Sequence, residues 1–211
     1  MNLVKKSCII VAAGDFNGLN NNFTADFIIA ADAGYDHLVK FGLNIDLLIG
    51  DLDSIADFET VCEKSKNIEI LRFPSEKDES DLELAVAEAL RRGFDCFYIY
   101  GGLGKRLDHT LANISVLASL ARRGVTAWLI GEGEVVTAVT NGKITLSPGK
   151  SGIMSLFPMG GKASGISLDG FKYPLDNADL YDHSTRGLSN EFMGEIATVE
   201  VLDGTLIVIL S

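Results

Sequence analysis

Short apolar runs alternate with segments of helical periodicity from residue 7 to about residue 135, and this alternation restricts the possible folds more than any other feature. Each helical segment ends at a glycine, the residue preferred directly after a helix C-terminus. Such alternation predicts an α/β fold with a mainly parallel, doubly wound sheet. The predicted strands are SCIIVAAG, DFIIAADAG, DLLIGD, IEILRFP, CFYIYGG and TAWLIGEG, and the predicted helices are GYDHLVKFG, DLELAVAEALRRG and RLDHTLANISVLASLARRG.

Beyond about residue 137 the pattern changes to short β runs separated by Gly, Pro and Asp, without a long helical period. This pattern is typical of a small antiparallel domain. We therefore expect an α/β domain over residues 1–136 and a β domain over residues 137–211. The last hairpin is expected at Asp203-Gly204, because this dipeptide suits a type I′ turn between two β-rich runs.

The composition argues against several classes of protein. With 211 residues, 47% of them hydrophobic, the chain can bury a core. Its formal net charge of −11 argues against a nucleic-acid partner, because such binding needs an excess of basic side chains. The apolar runs are too short to span a bilayer, and we interpret the N-terminus as a strand rather than a signal peptide. The cysteines Cys8, Cys62 and Cys96 lack CxxC spacing and favour buried thiols in a reducing cytoplasm.

The first chemical motif is LLIGDLDSI, in which an apolar run ends at Gly50 and is followed by Asp51 and Asp53. If the chain is still extended there, side chains two residues apart point the same way, and both carboxylates can reach one cation. Mg²⁺ prefers such oxygen ligands and often shares them with substrate phosphates. Two alternatives stay open: a solvated turn, or the D-x-D of aspartyl-nucleophile phosphatases.

The second motif is KDESDLEL, which places Asp78 and Asp81 at the start of a predicted helix. Backbone N–H groups and the helix dipole attract phosphate at such a position, and Lys77 would add a positive charge. Ser80 and Glu83 also form an S-x-x-E capping box, so Asp81 has an alternative role in stabilising the first helical turn. Asp78 precedes the cap, so that explanation applies to it less well.

The third motif is GGLGKRLDHTLAN, a glycine-rich turn between the run CFYIY and a helix. Glycines let the backbone approach a phosphate closely, although the spacing is not that of a Walker A loop. Arg106 follows Gly104-Lys105 and is a candidate for bidentate phosphate binding, and Asp108 for orienting Arg106 or approaching a metal. The alternative is a surface Arg-Asp pair with Asp108 as the helix N-cap. His109 is interpreted as a structural or solvated helix residue.

Asp32 lies at the end of the run FIIAA, before Ala33-Gly34 and a short predicted helix. The small residues permit close approach of a nucleotide. Asp32 is therefore a candidate contact to a ribose, a nucleobase or the metal shell, and a simple turn residue is the alternative.

Taken together, these segments resemble the thiamine pyrophosphokinase (thiamine diphosphokinase) family, and the similarity runs nearly end to end. Their order and approximate spacing match the family as well as their letters do. The segments that carry the resemblance are ADAGYDHLVKFGLNIDLLIGDLDSI at 31–55, EKDESDLELAVAEAL at 76–90, GGLGKRLDHTLANISVL at 101–117, and the C-terminal GFKYPLDNADL and GLSNEFMGEIATVEVLDGTLIVIL.

The resemblance implies an N-terminal α/β catalytic domain, a C-terminal β-sandwich domain, and a homodimer whose active sites lie between subunits. It also implies transfer of a pyrophosphoryl group from ATP to the hydroxyethyl oxygen of thiamine, giving thiamine diphosphate and AMP. The positions that match acidic residues associated with Mg²⁺ and the ATP phosphates are Asp51, Asp53 and Asp78. The positions that match the remaining polar residues of these motifs are Asp81, Arg106 and Asp108.

The thiamine end of the site is implied to lie in the C-terminal domain, where Ser189 and Asn190 match a Ser-Asn pair near thiamine. Tyr173 stands where eukaryotic members carry a tryptophan that stacks on thiamine, and its ring still offers an aromatic face to a cation. The single tryptophan is Trp128, in an apolar run, and we expect it in the core. His183 and Arg186 are assigned no role.

The reaction we expect is in-line attack of the thiamine hydroxyl at the β-phosphorus of ATP, with charge neutralised by Mg²⁺ and Arg106. A phosphatase with Asp51 as nucleophile and Asp53 as general acid is one alternative, although the later Lys and acidic pair of that scheme are not evident. A non-catalytic nucleotide- or thiamine-binding module is the other.

Overall fold

The computed structural model describes residues 5–19, 24–53, 55, 68–104, 106–147, 152–194 and 196–211. The helices in these ranges are α1 (Gly34–Lys40), α2 (Asp81–Arg91) and α3 (Leu107–Arg122). The strands are β1 (Ser7–Val11), β2 (Phe27–Ala31), β3 (Leu47–Gly50), β4 (Glu69–Arg72), β5 (Cys96–Tyr100), β6 (Thr126–Ile130), β7 (Val135–Leu146), β8 (Ile153–Pro158), β9 (Lys162–Asp169), β10 (Leu175–Tyr181), β11 (Asn190–Glu191) and β12 (Ala197–Leu210).

The chain divides into two compact units. The N-terminal unit consists of Met1–Asn113 with Leu129–Glu132, and the C-terminal unit consists of Ile114–Trp128 with Gly133–Ser211. The expected boundary between residues 136 and 137 lies within β7 and stays a prediction. Among the described helices, none is long and apolar enough to cross a bilayer.

The sheet of the N-terminal unit has the strand order β5-β1-β2-β3-β4, and all neighbouring strands are parallel. From β1 the chain adds β2, β3 and β4 on one side and then places β5 on the other side of β1. The order therefore reverses between β1 and β5. In open α/β sheets, ligands bind at such a switch point, beyond the carboxyl ends of the strands. The predicted parallel α/β fold is confirmed.

Local sequence explains where the helices begin and end. α2 begins after Ser80, whose Oγ accepts a hydrogen bond from the Glu83 N–H at 3.2 Å, as the capping box predicts. The glycines after the three helices, Gly42, Gly93 and Gly124, have φ of 66°, 82° and 73°. This left-handed backbone favours glycine and ends a helix, so these predicted helix ends are confirmed.

A charge network joins the C-terminal turn of α2 to β4. Arg92 Nη2 lies 2.7 Å from Glu69 Oε1, and Arg92 Nε lies 2.6 Å from Glu88 Oε1. Arg91 Nε also donates to Glu88 Oε2 at 2.7 Å. The hydrogen bonds from Arg91 and then from Arg92 lower the pKa of Glu88 to about 2, so this carboxylate stays ionised.

Two of the cysteines are structural thiols within the N-terminal unit. Cys8 and Cys96 are both buried and free. Burial raises the pKa of the Cys8 thiol, which therefore stays protonated and unreactive. Cys62 lies outside the described residues.

The C-terminal unit is antiparallel and is organised around the long strand β12. This strand pairs with β7 on one side, and with β9 and then β8 on the other. β10 extends the sheet beyond β9, and β11 pairs with β8. Trp128 packs against the apolar core of this unit, as predicted. Buried members of that core include Met154, Leu156, Ile166, Val199 and Leu206.

The hairpin expected at Asp203-Gly204 is wrong, because both residues lie inside β12. The register against β7 shifts there: Val201 pairs with Gly142, and Thr205 pairs with Thr140. The strand therefore bulges rather than reverses. Gly204 has φ 110° and donates its N–H to Asn141 Oδ1 at 2.8 Å, so the bulge uses the conformational freedom that suggested a turn.

Candidate active site

A cavity of about 940 Å³ lies in the N-terminal unit, at the switch point between β1 and β5. The segments that follow β1, β2, β3 and β5 line it, together with the first turns of α2 and α3. Cavities of this size hold small-molecule ligands and cofactors. This cavity is therefore the candidate active site.

The loops that follow β1 and β5 are in direct backbone contact at the cavity. Ala12 N donates to Tyr100 O at 2.8 Å, and Gly14 N donates to Gly101 O at 3.0 Å. A Cβ atom on Gly14 would lie 2.4 Å from Gly101 O, and one on Gly101 would lie 2.3 Å from Ala12 O. Only glycine permits this approach, so the glycines at the ends of these two strands bring the two loops together.

Three carboxylates converge in the cavity. Asp32, Asp51 and Asp53 each offer an oxygen atom, and these atoms lie within 4.8 Å of one another. Asp32 is buried, Asp51 is half-buried and Asp53 is exposed. A Cβ on Gly50 would lie 3.1 Å from Asp32 Cβ, so glycine at the end of β3 permits the approach of Asp32. Carboxylate oxygens in such a group suit a small, hard divalent cation.

The backbone between Asp51 and Asp53 is not extended, so the condition under which strand alternation would align the two carboxylates is not met. Leu52 has φ 67°, a left-handed conformation that is uncommon for residues other than glycine. Asp53 N donates to Asp51 Oδ1 at 3.2 Å across the turn, and the Leu52 side chain is buried. The two carboxylates therefore converge through a tight turn rather than through the alternation of a strand.

Of the two acidic residues predicted at the start of α2, Asp81 lines the cavity and Asp78 does not belong to its described lining. Ser80 and Asp81 line the cavity, and Lys77 Nζ lies 3.1 Å from Asp81 Oδ1. Lys77 also donates to Pro74 O at 3.1 Å. Asp78 is exposed and is not one of the described residues that line the cavity. The structure thus brings Asp81 to the cavity and leaves Asp78 outside its lining, and a metal-binding role of Asp78 stays a prediction.

The segment before α3 places Gly104 and Arg106 in the cavity wall, and Lys105 lies outside the described residues. Arg106 Nη2 donates to Asp108 Oδ2 at 2.6 Å, and Arg106 Nε donates to Asp108 Oδ1 at 3.2 Å. The hydrogen bond from Arg106 lowers the pKa of Asp108 to about 2. Both side chains are exposed, and Asp108 lies in the first turn of α3 rather than at its N-cap.

The loop after β1 lines the cavity with Asp15, Phe16 and Asn17, none of which was predicted as a site residue. Asn17 Nδ2 donates to Glu132 Oε2 at 2.8 Å, and Phe16 packs edge-on against Tyr100 with 5.9 Å between ring centroids. The sequence feature that could have indicated this loop is the glycine at the end of the run SCIIVAAG. Other cavity-lining residues without a predicted site role are His37, His109, Thr110 and Asn113.

In the C-terminal unit, the residues expected near thiamine share a hydrogen-bonded corner formed by the segment before β10 and the start of β11. Asn190 Nδ2 donates to Tyr173 O at 2.8 Å, and Asn190 Oδ1 accepts from Tyr173 N at 2.9 Å. Asn190 is 6% exposed, whereas Tyr173 is 57% exposed. Ser189 has φ 58° and donates its N–H to Ser155 Oγ at 3.1 Å. Asn190 therefore holds the backbone that presents the exposed Tyr173 ring.

The segment before Ser189, which contains His183 and Arg186, is exposed. The His183 ring packs against Tyr181 with 5.3 Å between centroids. Arg186 N donates to Ser184 Oγ at 3.3 Å. These contacts shape the segment and assign neither side chain a function.

The N-terminal unit has a parallel sheet with a glycine-rich, acidic cavity at its switch point, and the C-terminal unit is antiparallel, so the chain is a two-domain protein of the α/β class. Two family models match the chain: thiamin pyrophosphokinase, catalytic domain, over residues 10–129, and thiamin pyrophosphokinase, vitamin B1 binding domain, over residues 143–206. The chain belongs to the thiamine pyrophosphokinase family, and the predicted family is confirmed.

Individual relatives are similar to this chain over nearly its whole length. The thiamine pyrophosphokinase of Bacillus subtilis (strain 168) is 30% identical over 213 residues, covering 98% of this chain and 99% of the relative. A crystal structure of thiamine pyrophosphokinase from Bacillus subtilis matches with a TM-score of 0.87 at 29% identity, covering 98% of this chain and 99% of that chain. One from Geobacillus thermodenitrificans matches with a TM-score of 0.83 at 26% identity and 97% of both chains. These similarities confirm an enzyme of this family and favour neither the phosphatase nor the non-catalytic module.

Proposed function

We propose that this protein transfers a pyrophosphoryl group from ATP to the hydroxyethyl oxygen of thiamine, giving thiamine diphosphate and AMP. The observation that carries the proposal is the acidic cavity at the switch point, in a chain that matches both domains of the thiamine pyrophosphokinase family. Relatives over nearly the full length of the chain bear the name of that activity.

Mg²⁺ is the cation proposed for this cavity, and Asp32, Asp51 and Asp53 are the residues proposed to hold it. Their chemistry fits, because each offers a carboxylate oxygen within 4.8 Å of the other two. When bound, Mg²⁺ would neutralise phosphate charge and leave coordination positions for phosphate oxygens. A chain with a formal net charge of −11 benefits from such a cation when it binds a polyanion. Asp78 remains the alternative third ligand.

The ATP phosphates are proposed to bind the glycine-rich turn after β5 and the side chain of Arg106. Backbone N–H groups in such turns form anion-binding concavities, and a guanidinium binds phosphate in bidentate fashion. Arg106 is free to exchange partners, because its side chain is 70% exposed and its bond to Asp108 lies in solvent. The other proposed ATP contacts are Asp32, Lys77, Asp81, Gly104, Lys105 and Asp108.

The proposed reaction is in-line attack of the thiamine hydroxyl on the β-phosphorus of ATP. A new bond forms between the thiamine hydroxyl oxygen and the β-phosphorus, and the bond from the β-phosphorus to the oxygen that bridges it to the α-phosphorus breaks, so AMP leaves. Transfer of this kind depends mainly on positioning and charge neutralisation. Asp51, Asp53 and Arg106 supply those functions, and the hydroxyl proton passes to a carboxylate of the acidic cluster.

Thiamine is proposed to contact the C-terminal unit at Tyr173, Ser189 and Asn190. The exposed Tyr173 ring offers its face to the cationic thiazolium ring, and Asn190 holds the backbone beneath it. We also propose a cytoplasmic homodimer with active sites at the subunit interface. In support, the C-terminal unit exposes 67% of Met193 and 65% of Ile196, apolar surface that a second copy would cover.

The experiment that tests the function mixes the protein with MgATP and thiamine and follows nucleotides and thiamine species by chromatography. AMP and thiamine diphosphate are expected in equal amounts, and chelation of the metal with EDTA should stop both. Absence of both products at high enzyme concentration would contradict the proposal. Free phosphate without thiamine diphosphate would instead favour the phosphatase.

A further inference from the structure

Asn113 is a buried polar residue of α3 to which neither the sequence motifs nor the proposed reaction assigns a task. It is 8% exposed and lines the cavity. Its Nδ2 donates a hydrogen bond to the Gly102 carbonyl at 2.7 Å. This bond connects the interior of the helix to the glycine-rich turn that follows β5, across eleven positions of sequence.

Helix formation does not explain an asparagine at this position. Asparagine has a lower helix propensity than leucine by several tenths of a kcal/mol. A buried amide is also unfavourable unless its polar atoms are hydrogen-bonded, whereas leucine would only add apolar burial. The bond to Gly102 is therefore the feature that distinguishes Asn113 from an ordinary core residue of the helix.

The bond to Asn113 fixes one peptide group of the turn. In a trans peptide the N–H points opposite to the C=O, so holding the Gly102 carbonyl also orients the Leu103 N–H. The preceding residue, Gly101, is held from the other side, because its carbonyl accepts from Gly14 N at 3.0 Å. Gly102 has little room to move, since a Cβ there would lie 2.8 Å from Leu129 Cδ2. Hydrogen bonds from two different segments thus hold the Gly101 and Gly102 carbonyls of the turn.

We propose that Asn113 is a positioning residue for ATP: it sets the Gly102–Leu103 peptide so that the turn presents backbone N–H groups to the phosphates. The inference rests on the proposed function, because it assigns Asn113 to the phosphate end of the same cavity. A turn that is ordered before binding costs less free energy on binding, so the contribution of Asn113 should appear in ATP affinity.

The test compares Asn113→Leu, which removes the donor at similar volume, with Asn113→Gln, which keeps an amide donor. Steady-state kinetics would give KM and kcat for both substrates. Isothermal titration calorimetry with Mg²⁺ present would give the affinity for the α,β-methylene analogue of ATP. This analogue cannot react, because a methylene group replaces the oxygen whose bond to the β-phosphorus would break. We expect Asn113→Leu to raise the KM for ATP and the Kd of the analogue about tenfold, with the KM for thiamine unchanged. Asn113→Gln should recover part of the lost affinity.

Thr137→Val is the matched control. Thr137 is 1% exposed, and its Oγ1 donates to the Ala127 carbonyl at 2.8 Å, so this variant also loses one buried bond to a carbonyl. It should lower the unfolding temperature as Asn113→Leu does and leave the KM for ATP unchanged. Equal ATP affinity in wild type and Asn113→Leu, or no recovery in folded Asn113→Gln, would overturn the proposal. If Asn113→Leu does not fold, the comparison of wild type with Asn113→Gln decides, and an increase of about tenfold or more in the Kd of the analogue for Asn113→Gln would overturn the proposal. Inactive wild type would instead contradict the proposed function.

Discussion

The two units hold their candidate functional groups in different ways. In the N-terminal unit, the carboxylates of Asp32, Asp51 and Asp53 meet because of backbone conformation at the ends of β2 and β3. Asp32 has φ 48° and Leu52 has φ 67°, so left-handed residues aim these groups into the cavity. Within the turn, Asp53 N donates a hydrogen bond to Asp51 Oδ1.

In the C-terminal unit, one buried side chain does the positioning. Asn190 makes hydrogen bonds to both the N–H and the C=O of Tyr173, and the ring of Tyr173 remains exposed. The comparison indicates that charge can be removed from the acidic cluster with little cost to stability. In the C-terminal unit, by contrast, we expect both thiamine binding and stability to depend on Asn190.

The strongest test of this comparison is removal of single charges from the acidic cluster. Asp51→Asn and Asp53→Asn should each reduce kcat by about 10²–10³-fold, because the charge that holds the cation is lost. Thermal unfolding should change little, as expected for substitutions outside the core. AMP release and circular dichroism melting would measure the two effects. A fully active variant would remove that residue from the metal site.

Asp78→Asn is the matched control, because it makes the same change at an exposed position outside the cavity lining. We expect a reduction of less than about tenfold in kcat, in line with a charge that lies away from the reacting atoms. A loss as large as that of Asp51→Asn would place Asp78 in the metal shell, as the sequence resemblance implies, and would contradict the assignment to Asp32.

The second test distinguishes the role of the Tyr173 ring from that of Asn190, which makes hydrogen bonds to the Tyr173 backbone. Tyr173→Ala should raise the KM for thiamine about tenfold through loss of a cation–π contact, with the KM for ATP unchanged. Asn190→Leu should also weaken thiamine binding and should lower the free energy of unfolding by about 1–3 kcal/mol, because buried backbone groups lose their partner. Kinetics and urea unfolding would measure these effects. Equal changes in both KM values for Tyr173→Ala would refute the stacking role.

The third test compares ion pairs in the two units and predicts the smallest effects. Glu88 and Arg92 are 11% and 19% exposed, whereas Lys162 and Asp179 are 46% and 42% exposed. Because the pKa of Glu88 is lowered to about 2, its stabilising effect is fully present above its ordinary pKa of 4.5 and is lost as the pH falls toward 2. Glu88→Gln should therefore cost about 1–2 kcal/mol at pH 7 and little near pH 2.

Urea unfolding of wild type and Glu88→Gln between pH 7 and pH 2 would measure the difference. Lys162→Gln serves as the control in the C-terminal unit and should be indistinguishable from wild type at neutral pH, because its partner stays solvated. A pH-independent loss in Glu88→Gln would show that packing of this side chain, rather than its charge, stabilises α2.

Local patterns were sufficient to predict the N-terminal strands and the helix ends. The capping box at Ser80 and the glycines at Gly42, Gly93 and Gly124 act within a few residues of themselves, so the sequence shows them directly. The dipeptide Asp203-Gly204 shows the limit of such signals. A positive φ there serves a bulge in β12, and only the pairing with β7 and β9 distinguishes a bulge from a hairpin.

The sequence indicated several residues of the candidate site but only part of how the fold brings them together. Asp51 and Asp53 were found because they follow an apolar strand, but the left-handed turn at Leu52 that brings them together has no sequence signal of its own. The loop after β1 was missed because its role depends on the order of strands in the sheet. Asn113 was also missed, because its partner Gly102 is reached only when α3 folds back over the turn.

The sequence by itself determined the α/β class, the succession of helices and strands, and the family, because periodicity, capping residues and motif order are local and linear properties. Only the tertiary structure decided which carboxylates meet, with Asp32 in the cluster and Asp78 outside the cavity lining. It also decided that Asn190 supports Tyr173 rather than standing free. Both outcomes depend on which strand ends and turns become neighbours in space, and the order of pairing in a sheet is not written in any single segment.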